Sequence, residues 1–87
     1  MDKERRAKIM REIADGLNNV SDFAKVYRAL HLCNDSRLSL EEARDAAYHI
    51  GRKVNNLKSK PDGHPTTLAL ATVLVNKWAA EDRAPRV

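Results

Sequence analysis

The side chains best suited to chemistry in this 87-residue chain are a histidine and a cysteine two positions apart, His31 and Cys33, and a few adjacent carboxylates. A thiolate beside an imidazole could ligate zinc, but zinc sites need four converging ligands at characteristic spacings. Two residues apart on a helix, His31 and Cys33 point to nearly opposite sides, and no second Cys/His pair lies near them in sequence. No metal site is expected. Serine, histidine and aspartate all occur, yet no nucleophile stands in a strained turn such as G-x-S-x-G. Gly16, Gly51 and Gly63 are isolated, so no glycine-rich loop can cradle a phosphate. Glu41/Glu42 and Glu81/Asp82 are neighbours on helical patterns, where carboxylates are usually solvated or capping. "NDSRLS" at 34–39 has the aspartate-serine pair of carrier-protein attachment sites, but Arg37 follows the serine where those sites place a hydrophobic residue. Taken together, these readings predict no catalytic residue, no cofactor and no enzyme.

Charge suggests partners instead. Sixteen Lys/Arg against twelve Asp/Glu leave a net +4, which favours acidic partners without amounting to a strongly basic nucleic-acid tail. The positive residues concentrate in "KERR" at 3–6 and "GRKVNNLKSK" at 51–60. Lys3, Arg5, Arg6, Arg52, Lys53, Lys58 and Lys60 therefore define an alternative function, a weak nucleic-acid surface. A helix-turn-helix reader needs polar and basic residues at the start of its recognition helix, and the last helical pattern here is too apolar for that. No apolar run is long enough to span a bilayer and no signal segment precedes the first helix, so no membrane association is expected. Cys33 stands alone, which rules out an internal disulfide and suits a reducing compartment. The length fits one small domain, and the charged end "EDRAPRV" reads as a domain excised from a longer protein.

The elements that must position these residues are helical. Ala, Leu, Lys, Arg and Glu dominate, and no alternating strand pattern occurs. Ile9, Met10, Ile13 and Leu17 form the stripe of a first helix with Asp2 as its expected N-cap. A second helix begins after Ser21 or Asp22, carries Phe23, Val26, Tyr27 and Leu30 on one stripe, and runs out in "CNDS". "LSLEEA" is a capping box, Ser39 with Glu42, and Leu38 is placed to staple onto Ala43. The helix after it is predicted to turn Ala43, Ala46, Ala47, Ile50, Val54 and Leu57 inward, with Gly51 marking a close crossing or a break. "KSKPDGHP" is a loop, and Pro65 suits the first turn of a last, central helix. Its apolar residues form two stripes, Leu68, Ala71, Val75 and Trp78 on one and Leu70 and Leu74 on the other.

These residues carry a resemblance. "IGRKVNNLKSK" followed by "LATVLVNKWAAE" is similar to the signature of the TFIIS N-terminal domain, or LW domain, family. Ile50, Gly51, Val54 and Leu57, then Ala71, Leu74, Val75 and Trp78, stand at the family's positions and spacing. "KIMREIADGL" and "RALHLCNDSRLSLEEA" more loosely resemble the front half of the family's integrase-binding-domain-like members. The chain departs from the pattern at Asp45 and Tyr48, where the family has a leucine and a threonine, so its third helix is expected to pack through alanines. The resemblance implies an all-α, compact bundle of about five short helices forming a single domain over 1–87. It also implies a non-catalytic, monomeric module of a nuclear transcription-elongation or chromatin-associated factor. Such modules bind short acidic motifs with a bulky hydrophobic residue, borne by disordered partners. The implied site is Asn18, Asn19 and Val20 in one loop, with Lys60, Pro61, Asp62, Gly63 and His64 in another. Lys60 and Pro61 stand where the integrase-binding relatives carry an aromatic residue.

Overall fold

In the computed structural model, residues 2–60 and 63–83 are described, and among them every regular element is helical. The elements are α1 (Asp2–Asn18), α2 (Phe23–Asp35), α3 (Leu40–Ala43), α4 (Ile50–Lys58) and α5 (Pro65–Arg83). The chain is an all-α bundle of five helices. α1 packs chiefly on α2 and α4 chiefly on α5, while α2–α5 and α1–α4 contacts join the two pairs. No helix among the described residues is long and apolar enough to cross a membrane.

α1 begins at Asp2 itself, so that residue lies within the helix instead of preceding it. Met10, Ile13, Ala14 and Leu17 are its buried stripe, and Ile9 is half-buried at the margin. Gly16 permits the tight α1–α2 contact: a Cβ there would lie 2.8 Å from Ala29 Cβ and 3.1 Å from the Lys25 carbonyl oxygen. Gly16→Ala should accordingly lose about 1 kcal/mol, because overpacking outweighs the gain in helix propensity. A thermal melt checks this, and a second change of Ala29→Gly should recover most of the loss.

α2 starts on Asp22, whose side chain accepts from the Lys25 N–H at 3.2 Å. It ends in a left-handed turn at Arg37 (φ 52°). There the Leu38 N–H reaches the Cys33 carbonyl at 3.3 Å and the Arg37 N–H reaches Asn34 at 3.1 Å. This is the Schellman pattern, with the fully buried Leu38 and Cys33 as its apolar pair. Burial also pushes the Cys33 thiol up to about 12, so it behaves as an inert core residue.

The segment between α2 and α3 is held from both sides. Ser39 Oγ accepts from the Glu42 N–H at 3.1 Å and Glu42 Oε1 accepts from the Ser39 N–H at 3.0 Å, which completes the expected capping box. Arg6 of α1 forks onto the same carboxylate at 2.8 and 2.6 Å and donates a third bond to the Ser36 carbonyl at 2.9 Å. From the other side, Trp78 Nε1 donates to the Leu38 carbonyl at 2.9 Å. The indole is 4% exposed and belongs to the core cluster.

The stretch around Gly51 does break into two helices, but the break falls ahead of the glycine, between Ala43 and Ile50. α3 is a single turn, and Ala46 and Ala47 are exposed rather than inward. The cause is Asp45. Its Oδ1 accepts from the Ala47 N–H at 2.8 Å, and its carbonyl accepts from Tyr48 and His49 at 3.1 and 2.9 Å. A short side chain that satisfies nearby backbone donors competes with helix continuation. His49 then takes a left-handed conformation (φ 54°) before α4 resumes. Gly51 is thus the second residue of α4, and a Cβ on it would stand 3.0 Å from the Ala43 carbonyl oxygen, so it marks a close crossing of α3 and α4.

On α5 the buried residues are Thr67, Ala71, Leu74 and Trp78, one stripe in place of the two expected. Leu68, Leu70 and Val75 are half-buried along its flanks, and Val73 faces solvent. Lys77 is half-buried. Glu81 and Asp82 are exposed, the first accepting from the Leu40 N–H at 3.3 Å and the second 3.4 Å from Arg44.

Candidate functional site

The α1–α2 and α4–α5 loops lie side by side at one end of the bundle. Two shallow depressions, of about 120 and 240 Å³, open there, and Val20, Leu57 and Lys60 line both. Phe23, Gly63 and His64 complete the first, and Asn18 and Lys53 contribute to the second. Val20 is 57% exposed and Phe23 42%, which makes them two of the three large hydrophobic residues exposed among the described residues.

Local geometry fixes this arrangement. Asn19 closes α1 by donating its side-chain amide to the Asp15 carbonyl at 2.9 Å, and its own carbonyl accepts from the Asp22 N–H at 2.9 Å. The tight turn leaves Val20 at its apex with no core to enter. Across from it, His64 caps α5, Nδ1 accepting from the Thr66 N–H at 3.2 Å and the carbonyl from Thr67 Oγ1 at 2.8 Å. Pro65 occupies the first helical position, as the loop sequence predicts. The Phe23 and His64 rings stack with centroids 4.0 Å apart, which ties the two loops together. Tyr27 and His31 extend the aromatic row along α2, at 5.5 Å from Phe23 to Tyr27 and 4.4 Å from Tyr27 to His31.

Of the residues assigned to this end, Asn18, Val20, Lys60, Gly63 and His64 line the depressions. Asn19 instead holds the turn, and Pro61 and Asp62 lie outside the described residues. Phe23 and Leu57 are lining residues that the loop-by-loop reading omits. Their helical spacing marks both as core; Leu57 does belong to the core and borders the depressions from near the end of α4, whereas Phe23 opens α2, where the bundle closes over only part of its side chain. No Asp or Glu among the described residues lines either depression, whereas Lys53 and Lys60 do. Lys53 Nζ donates to the Tyr48 carbonyl at 2.7 Å, so it is the Lys53 stem that borders the cleft.

Other candidate groups are placed elsewhere. The signature residues Ile50, Val54, Leu57, Ala71, Leu74 and Trp78 are buried, and Gly51 and Val75 are half-buried. Among the described residues no three His, Cys, Asp or Glu side chains come together as a metal site would require. Of the basic residues, Arg6 is committed to Glu42, and Lys53 to the Tyr48 carbonyl. No family model matches the chain, and neither a curated protein nor a solved structure is found to be similar to it.

Proposed function

We propose that this chain is a non-catalytic protein-interaction module of the TFIIS N-terminal kind, serving a nuclear transcription-elongation or chromatin-associated factor. Its ligands are short acidic segments of disordered partners that carry a bulky apolar residue. The observation that supports this reading best is the cleft at the loop end, where Val20 and Phe23 are exposed beside Lys60 and no described carboxylate lines the walls. An apolar side chain can lie along Val20, Phe23 and Leu57 while flanking carboxylates meet Lys60. Affinity is modest, because the peptide orders as it binds.

The test is an amide-resolved titration with peptides in which one phenylalanine is flanked by glutamates. Shifts should centre on residues 18–20, 57–60 and 63–64, and should vanish when the glutamates are replaced by lysines. If no acidic peptide from a broad set moves those amides, the site assignment fails.

A further inference from the structure

A second groove, of about 320 Å³, lies where α3, α4 and the second half of α5 meet. Its floor is apolar: Leu40 and Ala43 from α3, and Val75 and the edge of Trp78 from α5. Its rim is cationic, with Arg44 and Arg52 exposed on it and His49 and Asn55 beside them. No Asp or Glu lines it among the described residues; at its edge Glu81 accepts from the Leu40 N–H at 3.3 Å and Asp82 lies 3.4 Å from Arg44 in an exposed ion pair. α4 opens onto the groove from His49, with no side-chain cap and no acidic residue in its first turn, which adds to the local positive potential. The groove is distinct from the loop-end cleft: Thr67, at that cleft, and Trp78 stand eleven residues apart on α5, about 16 Å along its axis.

We propose that this groove is a second docking site, taking a peptide segment in which one bulky aliphatic side chain is flanked by carboxylates. The occupant follows from complementarity. The floor excludes charge, and the rim offers two exposed guanidiniums, Arg52 and the Arg44 that lies beside Asp82, groups that can fork onto carboxylates. A single-stranded nucleic acid would also meet the arginines, but it needs aromatic faces on which bases can stack. Of the two rings that line the groove, Trp78 is 4% exposed and has no free face, which leaves the His49 imidazole as the single surface for a base, too little to hold successive bases. With two clefts of matching charge at the two ends of the α4–α5 pair, one disordered partner carrying two acidic motifs can be held bivalently, with an avidity set by its linker.

The probe is a short synthetic peptide with a central leucine between glutamates, titrated into the labelled chain. Amides of residues 40–55 and 74–78 should shift in a saturable way, and Arg44→Glu/Arg52→Glu should weaken that binding roughly tenfold. Arg44→Gln/Arg52→Gln, which removes charge without adding repulsion, should weaken it less, and Val20→Asp at the loop end should leave it unchanged. Shifts confined to residues 18–20 and 57–64 would overturn this proposal while sustaining the loop-end function. Equal response to a lysine-substituted peptide, tighter binding of an oligonucleotide at this groove, or indifference to both arginine pairs would also overturn it.

Discussion

Trp78→Ala is expected to cost about 3–5 kcal/mol, a large part of the stability of so small a domain. Two losses combine. The largest side chain in the chain leaves a void where α5 meets the α2–α3 linker, and the Leu38 carbonyl loses the indole N–H as its donor in a fully buried position. Trp78→Phe separates the two effects, since it keeps most of the volume and removes the donor. It should cost about 1–3 kcal/mol, the range for leaving a buried acceptor unsatisfied. Chemical denaturation of the three proteins measures both differences. A loss below about 1 kcal/mol for the alanine variant would contradict the placement of the indole in the core.

Glu42→Ala should be the most damaging change of a charged residue, at about 2 kcal/mol. It removes half of a capping box, worth about 1 kcal/mol, and the partner of Arg6, worth up to about 1 kcal/mol for a part-exposed pair. The hydrogen bonds from Arg6, with those from Ser39, hold the Glu42 carboxyl below the usual carboxylate range. Its contribution is therefore complete above the unfolded carboxylate pKa of about 4.3 and disappears as pH falls through the lower folded value. The stability gap between the wild-type chain and Glu42→Gln should shrink in that window. A double-mutant cycle with Arg6→Ala should show positive coupling, and additive losses would mean that the fork contributes nothing.

Much of this architecture was legible in the residues, for identifiable reasons. Capping box and N-terminal proline depend on local backbone chemistry and stand where the sequence indicates, and α2 ends at Asp35, inside the "CNDS" cluster. The errors arose where a side chain had more than one possible partner. Ala46 and Ala47 continue a helical period, but the Asp45 side chain captures the backbone first and the period ends. From Leu68 to Val75 every position of α5 but Thr72 is apolar, so periodicity could not show which stripe is buried; the neighbouring helices choose Thr67, Ala71, Leu74 and Trp78. The clamp of Arg6 on Glu42 spans 36 residues and has no local signal. For the candidate site, the two loops are visible as breaks in the chain, whereas the contribution of Phe23 depends on where the bundle ends. The stack on His64 exists only once α2 and α5 are brought together.

The central claim is that the loop-end cleft binds acidic, aromatic peptide segments. It is tested most directly by comparing dissociation constants for one glutamate-flanked phenylalanine peptide on the wild-type chain and on Val20→Asp/Lys60→Glu. Both substituted residues are exposed, so the double variant should melt close to the wild-type temperature. The account predicts saturable binding to the wild-type chain and a loss of roughly tenfold or more in the variant. Equal affinity for the two proteins would contradict it.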